Sequence, residues 1–101
     1  MKTHQPQQPA SPDSYVGQSI GEHTIENVIF LDRDTTLICC KSFMTDFGTA
    51  HMEAEHWLTE NTFHYNTLYY DEHGNFIFSE PEEMRPEQMR TFERIFTSLA
   101  A

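Results

Sequence analysis

The stretch from Ser42 to Met84 contains no lysine and no arginine. Across the whole chain, 6 basic residues are set against 16 acidic ones, and the formal net charge is −10 at pH 7. Contacts to phosphate need Lys and Arg, so direct binding of nucleic acid and attachment to an anionic membrane surface are both disfavoured. The same charge favours a basic protein partner, because long-range attraction speeds the encounter. The alternative is that the acidic residues only keep the protein in solution.

Cysteine and long apolar runs are also scarce. The two cysteines, Cys39 and Cys40, are adjacent, and neighbours in a strand point to opposite faces, so they are poorly placed to bridge each other. No run approaches the length of a membrane span, and residues 1–6 lack the apolar stretch of a signal peptide. We therefore expect a cytoplasmic protein without membrane attachment.

Composition divides the chain into a tail and one domain. Residues 1–14 contain three Pro and three Gln but no large apolar residue after Met1, so we expect a flexible tail. Residues 15–101 are enough for one small domain. Only 38% of the residues are hydrophobic, but 13% are aromatic, and aromatic side chains bury a large area each.

The domain opens with a predicted β-hairpin. Residues 25–31 and 36–43 are rich in β-branched and apolar side chains, and Arg33-Asp34 is a suitable two-residue turn between them. Both strands carry apolar residues on both faces, so we expect the hairpin to be central and covered on both sides. Pairing about the turn predicts three pairs of opposite residues: Ile29 with Ile38, Val28 with Cys39, and Glu26 with Lys41.

Residues 49–59 are compatible with either a strand or a helix. Ala, Met and Glu favour a helix by propensity. The strand is favoured because Glu60-Asn61 can turn the chain into residues 62–70, whose composition is typical of a strand. In that register the two strands sort their residues consistently between an inner and an outer face. The predicted inner pairs are Leu58 with Phe63, His56 with Tyr65 and Met52 with Tyr69, and the outer pairs are Trp57 with His64, Glu55 with Asn66 and His51 with Tyr70.

The remainder predicts one more strand and one helix. Residues 75–79 follow a loop containing Gly74, and Pro86 is well suited to begin a helix. The helix carries a single apolar stripe, which should pack across the sheet and close the core. We therefore predict an α+β fold, an antiparallel meander of about five strands with one C-terminal amphipathic helix packed on the sheet. The stripe consists of Met89, Phe92, Ile95, Phe96 and Leu99.

No residue pattern predicts a metal, a cofactor or a catalytic residue. The segment His51-Met-Glu-Ala-Glu-His56 matches neither HExxH nor HxxEH, and its two histidines point apart in a strand or a helix. The cysteines lie in a strand that is expected to be buried, where thiols are inert. We therefore expect that the protein is not an enzyme and uses no metal or cofactor.

The candidate binding residues come from the acidic and aromatic side chains of the stretch without Lys or Arg. Carboxylates spaced along a rigid sheet can stand in for phosphates, and aromatic residues are common anchors in interfaces. On adjacent hairpins, these carboxylates would cluster at one side. The predicted partner-binding residues are Asp46, Glu53, Glu55, Trp57, Glu60, His64, Tyr70, Asp71 and Glu72.

The resulting hypothesis is a non-enzymatic inhibitor of a basic, nucleic-acid-handling protein. Small acidic proteins of phages and other mobile elements act in this way as anti-CRISPR or anti-restriction inhibitors, which is an analogy of class without a shared motif. One alternative is a small-ligand-binding or catalytic β-domain that uses its aromatic-lined sheet. Another is an immunity or chaperone-like partner of one toxin or effector.

Overall fold

The computed structural model describes residues 11–100, and its elements follow one another as a short turn, a sheet and a helix. Pro12–Tyr15 forms a 3-10 helix, which begins within the last residues of the expected tail. Residues 1–10 of that tail lie outside the described residues, so its flexibility stays a prediction. The strands are β1 (Ser19–Ile20), β2 (His23–Phe30), β3 (Thr35–Cys40), β4 (Phe43–Thr45), β5 (Gly48–Trp57), β6 (Thr62–Tyr70) and β7 (Phe76–Pro81), and the helix is α1 (Pro86–Ala100).

The sheet is antiparallel, and its strands follow the order β1-β2-β3-β5-β6-β7, with β4 also pairing with β5. The predicted α+β class, the antiparallel sheet and the C-terminal helix are confirmed, but the sheet has seven strands where about five were expected. The short β1 was not predicted. The predicted strand over residues 36–43 is divided into β3 and β4, which both lie along β5 but in registers that differ by one residue. Lys41 and Ser42, which separate the two strands, accommodate this one-residue difference in register.

Helix α1 covers one face of the sheet. Phe92, Ile95, Phe96 and Leu99 are buried at the helical spacing of three and four residues. The ring of Phe92 lies 5.8 Å from that of Tyr65 on β6, and the ring of Phe96 lies 5.3 Å from that of His56 on β5. Met89, the first residue of the predicted stripe, is still 37% exposed, so the core begins one turn later than predicted.

The β5–β6 pair confirms the strand interpretation of residues 49–57 and corrects its register. His56 pairs with Phe63, where Tyr65 was predicted, and Trp57 pairs with Thr62. The connection spans four residues, 58–61, with Asn61 at a positive φ of 51°. A shift of two residues leaves every side chain on its predicted face, because side chains alternate with a period of two.

The β2–β3 pair also departs from the prediction, and here the shift changes which residues of the two strands share a face. Val28 pairs with Ile38 and Ile29 with Leu37, one residue from the predicted register. A bulge lies between Ile25 and Asn27, so Glu26 does not pair with Lys41 as predicted. The expectation that this hairpin is covered on both faces is also wrong, because β3 alternates between buried and half-buried residues and α1 packs on its buried side.

Within residues 11–100, no helix has the length and apolar character needed to cross a membrane.

Candidate partner-binding face

One face of the sheet is left uncovered by the described part of the chain. Along β5, Met52, Ala54 and His56 are buried on the helix side, so the residues between them point the other way. The same alternation places the even-numbered residues from His64 to Tyr70 of β6 on this opposite side. We call it the outer face: Leu37 and Cys39 of β3, His51, Glu53, Glu55 and Trp57 of β5, and His64, Asn66, Leu68 and Tyr70 of β6.

Two hydrogen-bonded pairs run along β5 at the centre of the outer face. His51 Nε2 lies 2.8 Å from Glu53 Oε2. Two residues further along the strand, Trp57 Nε1 donates to Glu55 Oε1 at 2.7 Å. Each carboxylate is therefore held by a ring on the same strand, which fixes its position before any partner arrives.

Aromatic side chains from β6 flank these pairs. The Tyr70 ring stacks on the His51 ring with centroids 5.3 Å apart, and the His64 ring lies 4.6 Å from that of Trp57. His64 Nε2 is buried in this contact and has no hydrogen-bond partner among the described residues. Strand pairing brings these rings together as diagonal neighbours, since His51 pairs with Leu68, two residues before Tyr70, and Trp57 pairs with Thr62, two residues before His64. The outer face is thus a row of two carboxylates between two aromatic contacts.

The carboxylates make this face electronegative, as the neighbouring acidic groups show. The pKa of the Cys39 thiol is raised to about 11, first by burial and then by the charges of Glu53 and Glu26. Burial, followed by the charge of Glu53, also raises the pKa of the Tyr70 phenol. Cys39 therefore stays a neutral thiol at physiological pH, which argues against a nucleophilic role for it.

The outer face also contains shallow depressions. One has a volume of about 180 Å³ and lies between the two carboxylates and their neighbours on β6 and β7. It is smaller than the pockets that usually enclose a small ligand, which begin at roughly 300 Å³. Its lining residues are Leu37, Glu53, Glu55, Asn66, Leu68 and Ser79. A second depression of about 380 Å³ lies beside it, and its lining includes Cys39, His51 and Glu53.

The structure brings five of the nine predicted partner-binding residues together on the outer face. These are Glu53, Glu55, Trp57, His64 and Tyr70. The other four lie in turns at the two ends of the strands. Asp46, Asp71 and Glu72 lie near the start of β5, and Glu60 follows its end. The ten residues of β5 span about 30 Å, so the predicted clustering of all these carboxylates at one side is wrong.

Asp71 has a structural role that the sequence interpretation did not assign to it. Its Oδ1 accepts hydrogen bonds from the backbone N–H groups of His73 and Asn75, at 2.9 and 2.8 Å. These bonds, led by that from Asn75, lower the pKa of the Asp71 carboxyl. Its carboxylate therefore closes the β6–β7 turn, as Asp residues commonly do.

An aromatic cluster on the opposite side of the sheet was also missed. Phe47, in the turn between β4 and β5, lies with its ring centroid 6.2 Å from that of Tyr69 and 5.9 Å from that of Phe78. Tyr69 and Phe78 stack at 4.4 Å. Phe47 remains 65% exposed. Its position between Asp46 and Gly48 indicated only a turn, so no signal in the sequence pointed to this contact.

Comparison with protein-family models, curated proteins and solved structures finds no significant match to this chain.

Proposed function

We propose that this protein binds a basic protein through its outer face and inhibits that partner by occupying its nucleic-acid site. The observation that carries the proposal is the row of Glu53 and Glu55, each held by a ring on the same strand, on a face that nothing in residues 11–100 covers. A phage or mobile-element counter-defence protein is the most concrete form of this function, by analogy of class.

The absence of compensating cations supports the proposal. Every ion pair found among the described residues uses a histidine as its positive partner, and none uses Lys or Arg. The sequence from Ser42 to Met84 supplies neither residue to β5, β6 or β7. Glu53 and Glu55 thus keep charge that a basic surface can neutralise, which favours fast and selective association.

The rigidity of the face supports it as well. Same-face residues on a strand are about 6.6 Å apart, so Glu53 and Glu55 present charges at a fixed spacing, as a nucleic-acid backbone does. Trp57 and Tyr70 add large rings whose positions are already set by His64 and His51. Interfaces favour such aromatic anchors because they bury much area at little cost in side-chain entropy.

The test is capture of a partner from the source cells with three forms of the protein. Glu53→Lys plus Glu55→Lys reverses the charge of the outer face. Glu60→Lys plus Glu72→Lys makes the same change in net charge at exposed turn positions away from that face. We expect the wild type and the turn variant to capture one basic protein, and the face variant to lose it although its circular dichroism is unchanged.

Salt provides a second readout from the same capture. Binding to the wild type should weaken as salt rises, because screening shortens the reach of the charges to about 8 Å at physiological ionic strength. If the amount of captured partner changes neither with salt nor with the charge reversal at Glu53 and Glu55, the proposal is contradicted. Inhibition is tested next, by asking whether the captured protein loses its binding of nucleic acid when this protein is added.

The identity of the captured protein distinguishes a counter-defence inhibitor from an immunity protein. A nuclease or other nucleic-acid-binding protein supports the inhibitor of a defence system, whereas a toxin supports an immunity protein. We propose the cytoplasm as the location, in keeping with the free thiols of Cys39 and Cys40.

A further inference from the structure

A second group of polar side chains lies away from the outer face, where the β1–β2 turn meets the segment after β7. Glu22 belongs to the turn, His23 begins β2, and Glu82 follows β7. His23 Nε2 lies 3.3 Å from Glu82 Oε1 and 3.6 Å from Glu22 Oε1. One ligand atom from each of the three residues falls within 4.8 Å of the others.

The two distances from His23 match the donor spacing around a tetrahedral metal ion, and the third, between the two carboxylates, is within 4.8 Å. Zinc binds histidine nitrogen and carboxylate oxygen at about 2.0–2.2 Å, which places neighbouring donors roughly 3.3–3.6 Å apart. A hydrogen bond from a charged N–H to a carboxylate is shorter, about 2.7–2.9 Å. The His23–Glu82 contact is thus at the long end of hydrogen-bonding distance, and both distances from His23 fit two ligands that share an ion.

The surroundings hold the donors in place. The His23 side chain is only 6% exposed and that of Glu82 is 23% exposed. The hydroxyl of Thr67 donates to Glu82 Oε2 at 2.6 Å, so it orients the carboxylate from behind as second partners of metal ligands do. The Glu22 side chain is 76% exposed and gives an ion a route from solvent.

The charges of these three side chains also favour a bound cation. Two carboxylates converge on one imidazole, and among residues 11–100 neither forms an ion pair with Lys or Arg. A cation between them would neutralise the repulsion that otherwise opposes this arrangement.

We propose that Glu22, His23 and Glu82 bind one divalent transition-metal ion, with Zn²⁺ the best match and the fourth position open to water. One histidine and two carboxylates suit Zn²⁺, whereas Mg²⁺ and Ca²⁺ prefer six or more oxygen donors. The bound ion would tie the β1–β2 turn to the segment that leads into α1. This site is independent of the outer face and of the proposed partner.

The test is titration of the full chain, treated with a chelator and dialysed, with Zn²⁺ and separately with Mg²⁺. Calorimetry should show saturable binding of one Zn²⁺, and the melting temperature should rise with the Zn²⁺ concentration because the ion binds the folded state. Mg²⁺ should produce neither effect. No saturable Zn²⁺ binding, or equal binding of Mg²⁺, would overturn the proposal.

Two variants with a matched control locate the ion. Glu22→Gln removes an exposed ligand, so it should weaken Zn²⁺ binding at least ten-fold while leaving the metal-free melting temperature unchanged. Thr67→Val removes the hydroxyl that donates to Glu82 and should weaken Zn²⁺ binding by roughly ten-fold. Glu72→Gln alters a similar but exposed pair, in which His73 Nε2 lies 3.5 Å from Glu72 Oε1, and should bind Zn²⁺ as the wild type does. Equal loss in Glu22→Gln and Glu72→Gln would contradict the assignment.

Discussion

The two faces of the sheet differ in what their side chains do, although the same strands build both. Along β5, Met52 and Ala54 are fully buried beneath α1, whereas Glu53 and Glu55 alternate with them on the outer face. The buried residues supply the apolar area that stabilises the domain. The outer residues are mostly half-buried, and their hydrogen bonds run along the strand rather than into the core. Substitutions on the outer face should therefore cost less stability than substitutions beneath α1.

The largest difference between the faces should appear when one large ring is removed from each. Phe96 is fully buried under the sheet, so Phe96→Ala should reduce the free energy of unfolding by about 3–5 kcal/mol. Trp57 is 37% exposed, so Trp57→Ala should cost no more than about 1 kcal/mol. Urea denaturation measures both. Equal losses would mean that the outer face is part of a core.

The two histidines of β5 make a finer comparison. His56 is buried, stacks on Phe63 at 4.4 Å, and its Nε2 lies 3.0 Å from Asn61 Oδ1. His56→Ala should therefore cost about 1–3 kcal/mol, because it also leaves the Asn61 amide without its partner. His51 lies on the outer face, and His51→Ala should cost less than 1 kcal/mol. Thermal unfolding at one fixed pH gives both values, and a reversed order would contradict the assignment of faces.

The adjacent cysteines, Cys39 on the outer face and the buried Cys40, should differ in reactivity. Burial raises the pKa of Cys40 to about 12, and burial with Glu53 and Glu26 raises that of Cys39 from an ordinary 9.0 to about 11. At pH 8 the thiolate fraction of Cys39 is therefore about 100-fold lower than that of an ordinary cysteine, because its pKa is two units higher.

A thiol-reactive dye applied to Cys39→Ser and Cys40→Ser measures this difference. Both variants should react slowly while folded and rapidly when denatured. Cys40→Ser, which retains the half-buried Cys39, should react faster than Cys39→Ser. Rates equal to that of a free cysteine, or a faster reaction at Cys40, would show that these strands are not packed as described.

The alternation of side chains made the assignment of faces predictable, while the exact strand registers were not. In the β5–β6 pair, the four-residue connection shifts the register by two and preserves both faces. In the β2–β3 pair, the register is already shifted by one between the turn and Asn27, the bulge at Glu26 shifts Ile25 by one more, and no Gly or Pro in that strand indicated a bulge. The division of the predicted second strand at Lys41 and Ser42 was equally hidden, because the apolar pattern continues to Phe43.

The site was predictable only where it follows a single hairpin. Glu53, Glu55 and Trp57 alternate along one strand, and the paired strand adds His64 and Tyr70 whether or not the register is exact. Contacts between distant segments gave no signal. His23 and Glu82 are 59 positions apart, and they meet only because the β1–β2 turn and the end of β7 converge beside α1.

Binding through the outer face is tested most directly at Trp57, the single tryptophan of the chain, which lies on that face. The protein is labelled with 5-fluorotryptophan, and its one fluorine resonance is followed by NMR as the unlabelled captured partner is added. If the outer face binds the partner, a new resonance grows to saturation at the stoichiometry of the complex. A resonance that stays unchanged while the partner is shown to be bound would place the binding surface elsewhere.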